Sequence, residues 1–255
     1  MTSVSAGEVM VAQAAREIRD GETVFVGMRL PLIAFVVAKR THAPRAIGLF
    51  ELGLMRDRPA SELLYTMGDN PNVDAALWCG PMIELMGMLQ RGDVQAGFIG
   101  GAEIDRHGNL NTTAIGGDRQ HPTVALPGSG GGADIASLAH RLIVIMPHDK
   151  RRLRERVDFI TSPGYGDGGE WRARVGLSRG GPSALITTLG VFRFRDGEAV
   201  LETYHQGASV EHVRANTGWE LRVSEDVRET TPPSAEVLDI IRGYDPQGFW
   251  TRRGE

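Results

Sequence analysis

Residues 48–55, GLFELGLM, close an apolar run on one carboxylate with a glycine two positions later. A carboxylate can act as a nucleophile in acyl transfer, dividing one difficult exchange into two easier steps. Glu51 follows AIGLF (46–50), which reads as a strand. Strand ends of parallel sheets are where α/β proteins place reacting groups. The ordinary alternative is a solvated glutamate at a loop entry.

A second candidate is PGSGGGADIAS (127–137). Glycines ahead of a helix let backbone N–H groups approach an anion or a developing oxyanion without side-chain obstruction. Gly128, Gly130, Gly131 and Gly132 are the candidate donors, and a merely tight turn is the alternative. The same stretch, with Ala133, also fits G-x-G-x-x-G/A after the strand-like TVAL, with Asp149 where a ribose-binding acid belongs. That would make the protein a nicotinamide-dependent oxidoreductase. Pro127 and the short helix after the glycines speak against it, and no hydride-transfer site is evident.

Other residues are weaker candidates. Lys150, Arg151 and Arg152 in HDKRRLRERVDF (148–159) could meet phosphates, but the interleaved Glu155 and Asp158 favour a solvated or subunit-facing helix. His107, His121 and His148 lack metal-ligand spacing, so no metal is expected. Cys79, between Trp78 and Gly80, reads as a small buried side chain, and no G-x-S-x-G suggests a serine hydrolase.

These residues must be positioned by a chain of 255 residues, 41% hydrophobic, which is enough for a well-packed core and is read as one domain over 1–255. Its 28 basic and 32 acidic residues are spread evenly, which argues against nucleic-acid or membrane-surface partners. One cysteine excludes an intrachain disulfide, and no apolar run reaches membrane-span length. The first residues lack the charged head and apolar stretch of a signal peptide, so a cytoplasmic location is expected.

Ser5 and Glu8 have capping-box spacing, and the helix they start is expected to run until Gly21 caps it. ETVFVGM (22–28) reads as a strand and PLIAFVVAKR (31–40) as a helix with proline in its first turn. AIGLF and AGFIGGAEID (96–105) read as strands, the latter ending in a turn at 106–109, and SELLYTM (61–67) and PMIELMGMLQRG (81–92) as helical segments. Asp196-Gly197 is the strongest hairpin signal, 161–182 a long glycine- and arginine-rich loop, and SAEVLDIIRGY a final surface helix. Alternating strands and helices predict an α/β fold with a mainly parallel sheet.

In order along the chain, LPLIAFVVAKRTHAP, FELGLM, FIGGAEIDRHGNLNTT, PGSGGGADIAS and HDKRR with DFITSPGY closely resemble the β subunits of family I CoA-transferases, in the branch that holds glutaconate CoA-transferase. The resemblance implies a three-layer α/β/α domain paired with a homologous α subunit, in a heterotetramer or larger assembly. It puts Glu51 at the catalytic glutamate, which attacks an acyl-CoA thioester and ends as a glutamyl-CoA thioester. The run from Gly128 to Gly132 falls on a segment that approaches the CoA thioester, with the Gly130 and Gly131 amides as oxyanion donors. Gly100 and Gly101 fall on another segment near the active site.

The carrier is coenzyme A as a substrate, with no tightly bound cofactor. The acids exchanged would be carboxylic, and dicarboxylic or branched acids would suit this branch. Leu52 departs from the pattern, standing where serine or asparagine usually follows the glutamate. Relatives with this fold that decarboxylate a methylglutaconyl thioester or open a steroid-derived ring have lost the glutamate. Glu51 is present, so transfer is the first reading.

Overall fold

The computed structural model describes residues 3–118 and 120–252. In chain order the first elements are α1 (Ala6–Arg16), β1 (Thr23–Phe25), α2 (Leu30–Arg40), β2 (Ile47–Phe50), β3 (Leu54–Arg56), α3 (Asn70–Val73), β4 (Trp78–Cys79), α4 (Met82–Arg91) and β5 (Ala96–Ile99). Next come β6 (Glu103–Asp105), β7 (Leu110–Asn111), β8 (Ala114–Gly117), β9 (Pro122–Ala125), α5 (Gly132–Leu138), β10 (Arg141–Ile145), β11 (Leu153–Arg154) and α6 (Trp171–Arg174). The chain finishes with β12 (Pro182–Ile186), β13 (Gly190–Arg195), β14 (Glu198–Tyr204), α7 (Val210–Ala215), β15 (Arg222–Glu229) and α8 (Ala235–Tyr244). Contacts divide it into two compact units, one up to Phe98 with the segment from Thr231 onward, the other from Ile99 to Thr230.

In the first unit the strands lie in the order β5-β1-β2-β3-β4. β1 runs parallel to both β2 and β5, while β3 and β4 return antiparallel. α2 is buried from Pro31 to Ala38. A helix apolar all round must be enclosed. It packs on β2, where the ring of Phe35 lies so close to Gly48 that a Cβ there would sit 2.9 Å from it. Phe35 also meets Phe50 edge-on at 6.4 Å.

The expected capping box is present: Ser5 N–H donates to Glu8 Oε2 at 2.8 Å and Glu8 N–H to Ser5 Oγ at 3.1 Å. Glu8 is also paired with Arg242 of α8, Nε to Oε1 2.6 Å, which fixes α8 against α1. The last helix is therefore held inward as well as exposed, with Ile241 and Tyr244 buried. α1 stops at Arg16, short of Gly21, which instead turns the chain into β1 at φ 80°. The final turn tightens, Ile18 N–H donating to Ala15 O, and the His42 imidazole bridges Ala15 O and Ile18 O.

Residues 61–67 are not helical. Their backbone groups are claimed from elsewhere: the Asp69 carboxylate accepts from Tyr65 N–H, Leu64 O accepts from Trp250 Nε1, and Glu62 O from Tyr244 Oη. Nearby, Arg56 is fully buried and its guanidinium gathers the carbonyls of Arg58, Pro59, Asn72 and Asp74. Cys79 is exposed rather than buried, because β4 is a two-residue edge strand bonded only to β3.

In the second unit the order is β15-β14-β13-β12-β10. β10 is parallel to β12 and β14 to β15, with antiparallel pairs between. The hairpin between β13 and β14 turns at Asp196 and Gly197, φ 55° and 76°. Both central residues of such a turn need positive φ, as the Asp-Gly pair promised. The segment 96–105 is two strands in two sheets, since β6 leaves β5's sheet at Gly100-Gly101 to join β7 and β11. The basic stretch 148–159 is a turn and a short strand, not a helix: Asp149 O accepts Arg152 N–H and Leu153 N–H, and Arg151 pairs with the Asp149 carboxylate at 2.8 Å.

The long loop 161–182 is ordered around buried Arg172. Its guanidinium donates to Gly164 O (2.9 Å), Ala136 O (3.1 Å) and Arg179 O (2.7 Å), with longer contacts to Pro163 O and Ser137 O. His148 sits against Thr187 Oγ1 (3.0 Å) and Thr217 Oγ1 (3.2 Å), stacked on Phe192. Burial, reinforced by the neighbouring His212, pushes it from 6.5 down to about 4. Between those values the unfolded chain binds a proton that the native chain refuses, so stability is full above about pH 6.5 and falls toward pH 4, by up to about 3 kcal/mol. Urea midpoints near pH 7 and pH 4.5 should differ accordingly, and His148→Gln should shrink the gap. An unchanged gap in that variant would place its origin elsewhere.

Candidate active site

β1 and β2 run side by side in the same direction, Phe25 opposite Leu49, and end at a common carboxyl edge. Glu51 lies just beyond β2, first in the three-residue turn Glu51-Leu52-Gly53 that reverses the chain into β3. The turn is closed by Gly53 N–H donating to Phe50 O at 2.9 Å, and fastened to the next segment by Gly80 N–H donating to Gly53 O at 2.9 Å. Gly53 has φ 105°, and a Cβ there would stand 1.9 Å from Gly80 O. Only glycine fits. Gly53→Ala should cost about 3 kcal/mol through strain and collision, lowering the thermal midpoint. A variant as stable as the parent would refute that account of the turn.

Glu51 is half-buried, whereas Leu52 beside it is 56% exposed. Leu52 reaches the backbone of Gly68, where a Cβ would meet its Cδ2 at 3.3 Å.

The loop after β1 leads to the N-terminus of α2 and carries Arg29 at φ 69°, ψ −120°. For a residue with a Cβ this backbone costs about 1–3 kcal/mol, and such strain gathers at functional sites. The Arg29 guanidinium lies over the Trp250 ring, 5.5 Å from its centroid. Sequence reasoning passed over Arg29; its only signal was a cation in GMRLP between a strand and a proline-led helix.

In the second unit the motif segments FIGGAEIDRHGNLNTT, PGSGGGADIAS and DFITSPGY are brought together. Gly128 N–H donates to Thr112 O at 2.8 Å and Leu126 N–H to Thr113 O at 2.9 Å. The Thr113 and Thr161 hydroxyls are 2.7 Å apart, and Leu110 N–H donates to Ser162 O at 2.9 Å. The turn at 106–109 is built by the buried Asp105 carboxylate, which accepts from the backbone N–H groups of His107 and Asn109 and from Asn109 Nδ2. Asn109 Oδ1 in turn accepts from Gly164 N–H and Gly166 N–H.

Gly128 and Gly130 take φ 97° and 47°, and Gly131 is the N-cap of the seven-residue α5. Among these amides, Gly128 N–H is bonded to Thr112 O and Gly132 N–H to Ser129 O within the chain. Gly101 is pressed on the β7 segment, a Cβ there standing 2.9 Å from Leu110, and a Cβ at Gly100 would lie 3.1 Å from Ile145 O. Close packing is thus a reason for glycine at 101, while a side chain at 100 would need Ile145 O to give by a few tenths of an ångström. The dinucleotide alternative fails on topology. β9, the strand before the glycine run, pairs antiparallel with β8 in a two-stranded sheet, where a βαβ unit needs a parallel neighbour.

Residues 8–216 match the family model for coenzyme A transferase. The chain belongs to the coenzyme A transferase family. It is 36% identical to the β-type subunit of 3-oxoadipate CoA-transferase from Pseudomonas knackmussii, over 96% of this chain and 95% of the relative. It is also 36% identical to the β-type subunit of glutaconate CoA-transferase from Acidaminococcus fermentans, over 96% of this chain and 94% of that one. The crystal structure of the glutaconate enzyme superposes with a TM-score of 0.91 at 33% identity, covering 98% of each chain. The decarboxylase AibA/AibB superposes at 0.84 with 30% identity, covering 97% of each. The expected α/β fold and the expected branch are therefore those of this coenzyme A transferase chain. Among the described residues no helix is long and apolar enough to cross a membrane.

Proposed function

We propose that this member of the coenzyme A transferase family is the β-type subunit of a two-subunit enzyme, with Glu51 as its nucleophile. The Glu51 carboxylate attacks the thioester carbonyl of an acyl-CoA, giving a mixed anhydride and CoA thiolate. The thiolate then attacks the glutamyl carbonyl, which forms a glutamyl-CoA thioester and releases the acyl group as a free carboxylate carrying one former Glu51 oxygen. An acceptor acid reverses the sequence. Each tetrahedral intermediate places charge on an oxygen, and preorganised amide donors stabilise such charge. Gly130 and Gly131 are assigned that role, with Gly128, Gly132, Gly100 and Gly101 shaping the approach of the thioester.

The observation that carries this reading is the turn at 51–53, a carboxylate held at a parallel-sheet edge by main-chain bonds among residues 50, 53 and 80. The homologous α subunit is its partner, and the relatives' names point to dicarboxylic acids as substrates. The likeness to the decarboxylase AibA/AibB favours a second reading, in which the same scaffold releases carbon dioxide from a thioester.

The test is to purify the chain with its partner subunit, add a panel of acyl-CoAs without acceptor, and read the intact mass of this chain. A gain equal to CoA less one water supports transfer. Consumption of thioester with release of carbon dioxide and no adduct would overturn it in favour of decarboxylation.

A further inference from the structure

Arg29 is a strained, exposed cation at the edge where Glu51 stands. The backbone at φ 69° would suit glycine, yet the position holds the side chain best able to grip a carboxylate with two parallel hydrogen bonds. Its guanidinium is steadied on an indole that cannot move away: Trp250 is buried and its Nε1 donates to Leu64 O at 2.9 Å. Among the described residues no carboxylate comes within ion-pairing distance of Arg29. The result is an exposed guanidinium held over a ring, with no ion-pair partner among the described residues.

The same first unit ties this cation to the nucleophile's turn. Gly27, two residues before Arg29, lies two places past β1, opposite Glu51 if the register of β1 and β2 is carried on, and Val26 N–H donates to Leu49 O at 2.8 Å across the pair. Segment 64–68 touches both sides, Leu64 holding Trp250 and Gly68 lying against Leu52. A thioester under attack by Glu51 has its acyl chain within a few bonds of the reacting carbonyl, whereas the CoA phosphates stand at the far end of the pantetheine arm. We infer that Arg29 is a specificity-determining residue that binds the distal carboxylate of a dicarboxylic acyl group. This rests on the reading of Glu51 as the acylated carboxylate.

The two-subunit enzyme is charged with glutaryl-CoA or valeryl-CoA, which have equal chain length and differ in one terminal carboxylate. Adduct on this chain and consumption of thioester are followed together. The parent is expected to react with glutaryl-CoA at least tenfold faster, and Arg29→Gln to bring that ratio close to one. Arg29→Gly, which the positive φ accommodates, repeats the test free of backbone strain, and co-purification of the subunits checks assembly. No preference in the parent, or a preference that survives both variants, overturns the inference. Equal losses with both thioesters overturn it too and give the guanidinium to the CoA phosphates. An Arg29-dependent preference in consumption without any adduct keeps the inference and removes Glu51 as the acylated group. Neither adduct nor consumption of either thioester removes both.

Discussion

Glu51→Gln in the two-subunit enzyme is expected to abolish the CoA-sized adduct and to slow acyl exchange by at least about 10³-fold, a loss of about 4 kcal/mol of transition-state stabilisation. The amide keeps the size and hydrogen-bonding reach of the carboxylate but is a far poorer nucleophile, so the covalent route closes while the turn stays intact. That turn is closed by Gly53 N–H on Phe50 O and Gly80 N–H on Gly53 O, and neither bond involves the side chain at 51. The variant should therefore melt with the parent and still bind acyl-CoA, which separates lost chemistry from lost folding. Exchange at near-parental rate would rule out Glu51 as nucleophile and leave a base or orienting role.

Arg172→Ala should be the most damaging single change to the second unit, with a loss of about 3–5 kcal/mol in a urea titration. Its guanidinium is buried and gathers carbonyls from 136–137 at the end of α5 and from 163–164 and 179 in the loop, three stretches far apart along the chain. Removing it strands several buried acceptors at once, each costing about 1–3 kcal/mol where water cannot reach. Arg172→Lys should rescue only part of this, because an ammonium has three donors where the guanidinium has five in a plane. Urea midpoints for the alanine variant within about 0.5 kcal/mol of the parent would mean that the loop relaxes to water and that the buried cation is dispensable.

What could be read from the sequence was what short stretches decide for themselves. The Ser5–Glu8 capping box and the Asp196-Gly197 turn both depend on neighbours within four residues, and both appear as expected. Segment 61–67 has helix-forming residues, but its backbone is bonded by Trp250 and Tyr244, which lie about 180 positions away and leave no local trace. Arg172 looked like one more charge in a glycine-rich loop. Arg56 did leave a signal. It alternates with Leu54 on one face of β3, both buried, so parity alone would have turned it inward. The place of Glu51 at the end of a strand was legible because it is local, whereas its role came only from the family resemblance. Arg29 was not, because its strain and its indole support exist only in the folded chain.

The turn at 51–53 behaves like a tool holder. Its clamp is made of main-chain groups and one obligatory glycine, so the bit it carries can be exchanged without rebuilding the machine. A lineage can thus try new reactions at position 51 one substitution at a time, each tried on a fold already paid for. Selection on such a chain would be severe at 53 and lenient at 51 whenever the chemistry changes.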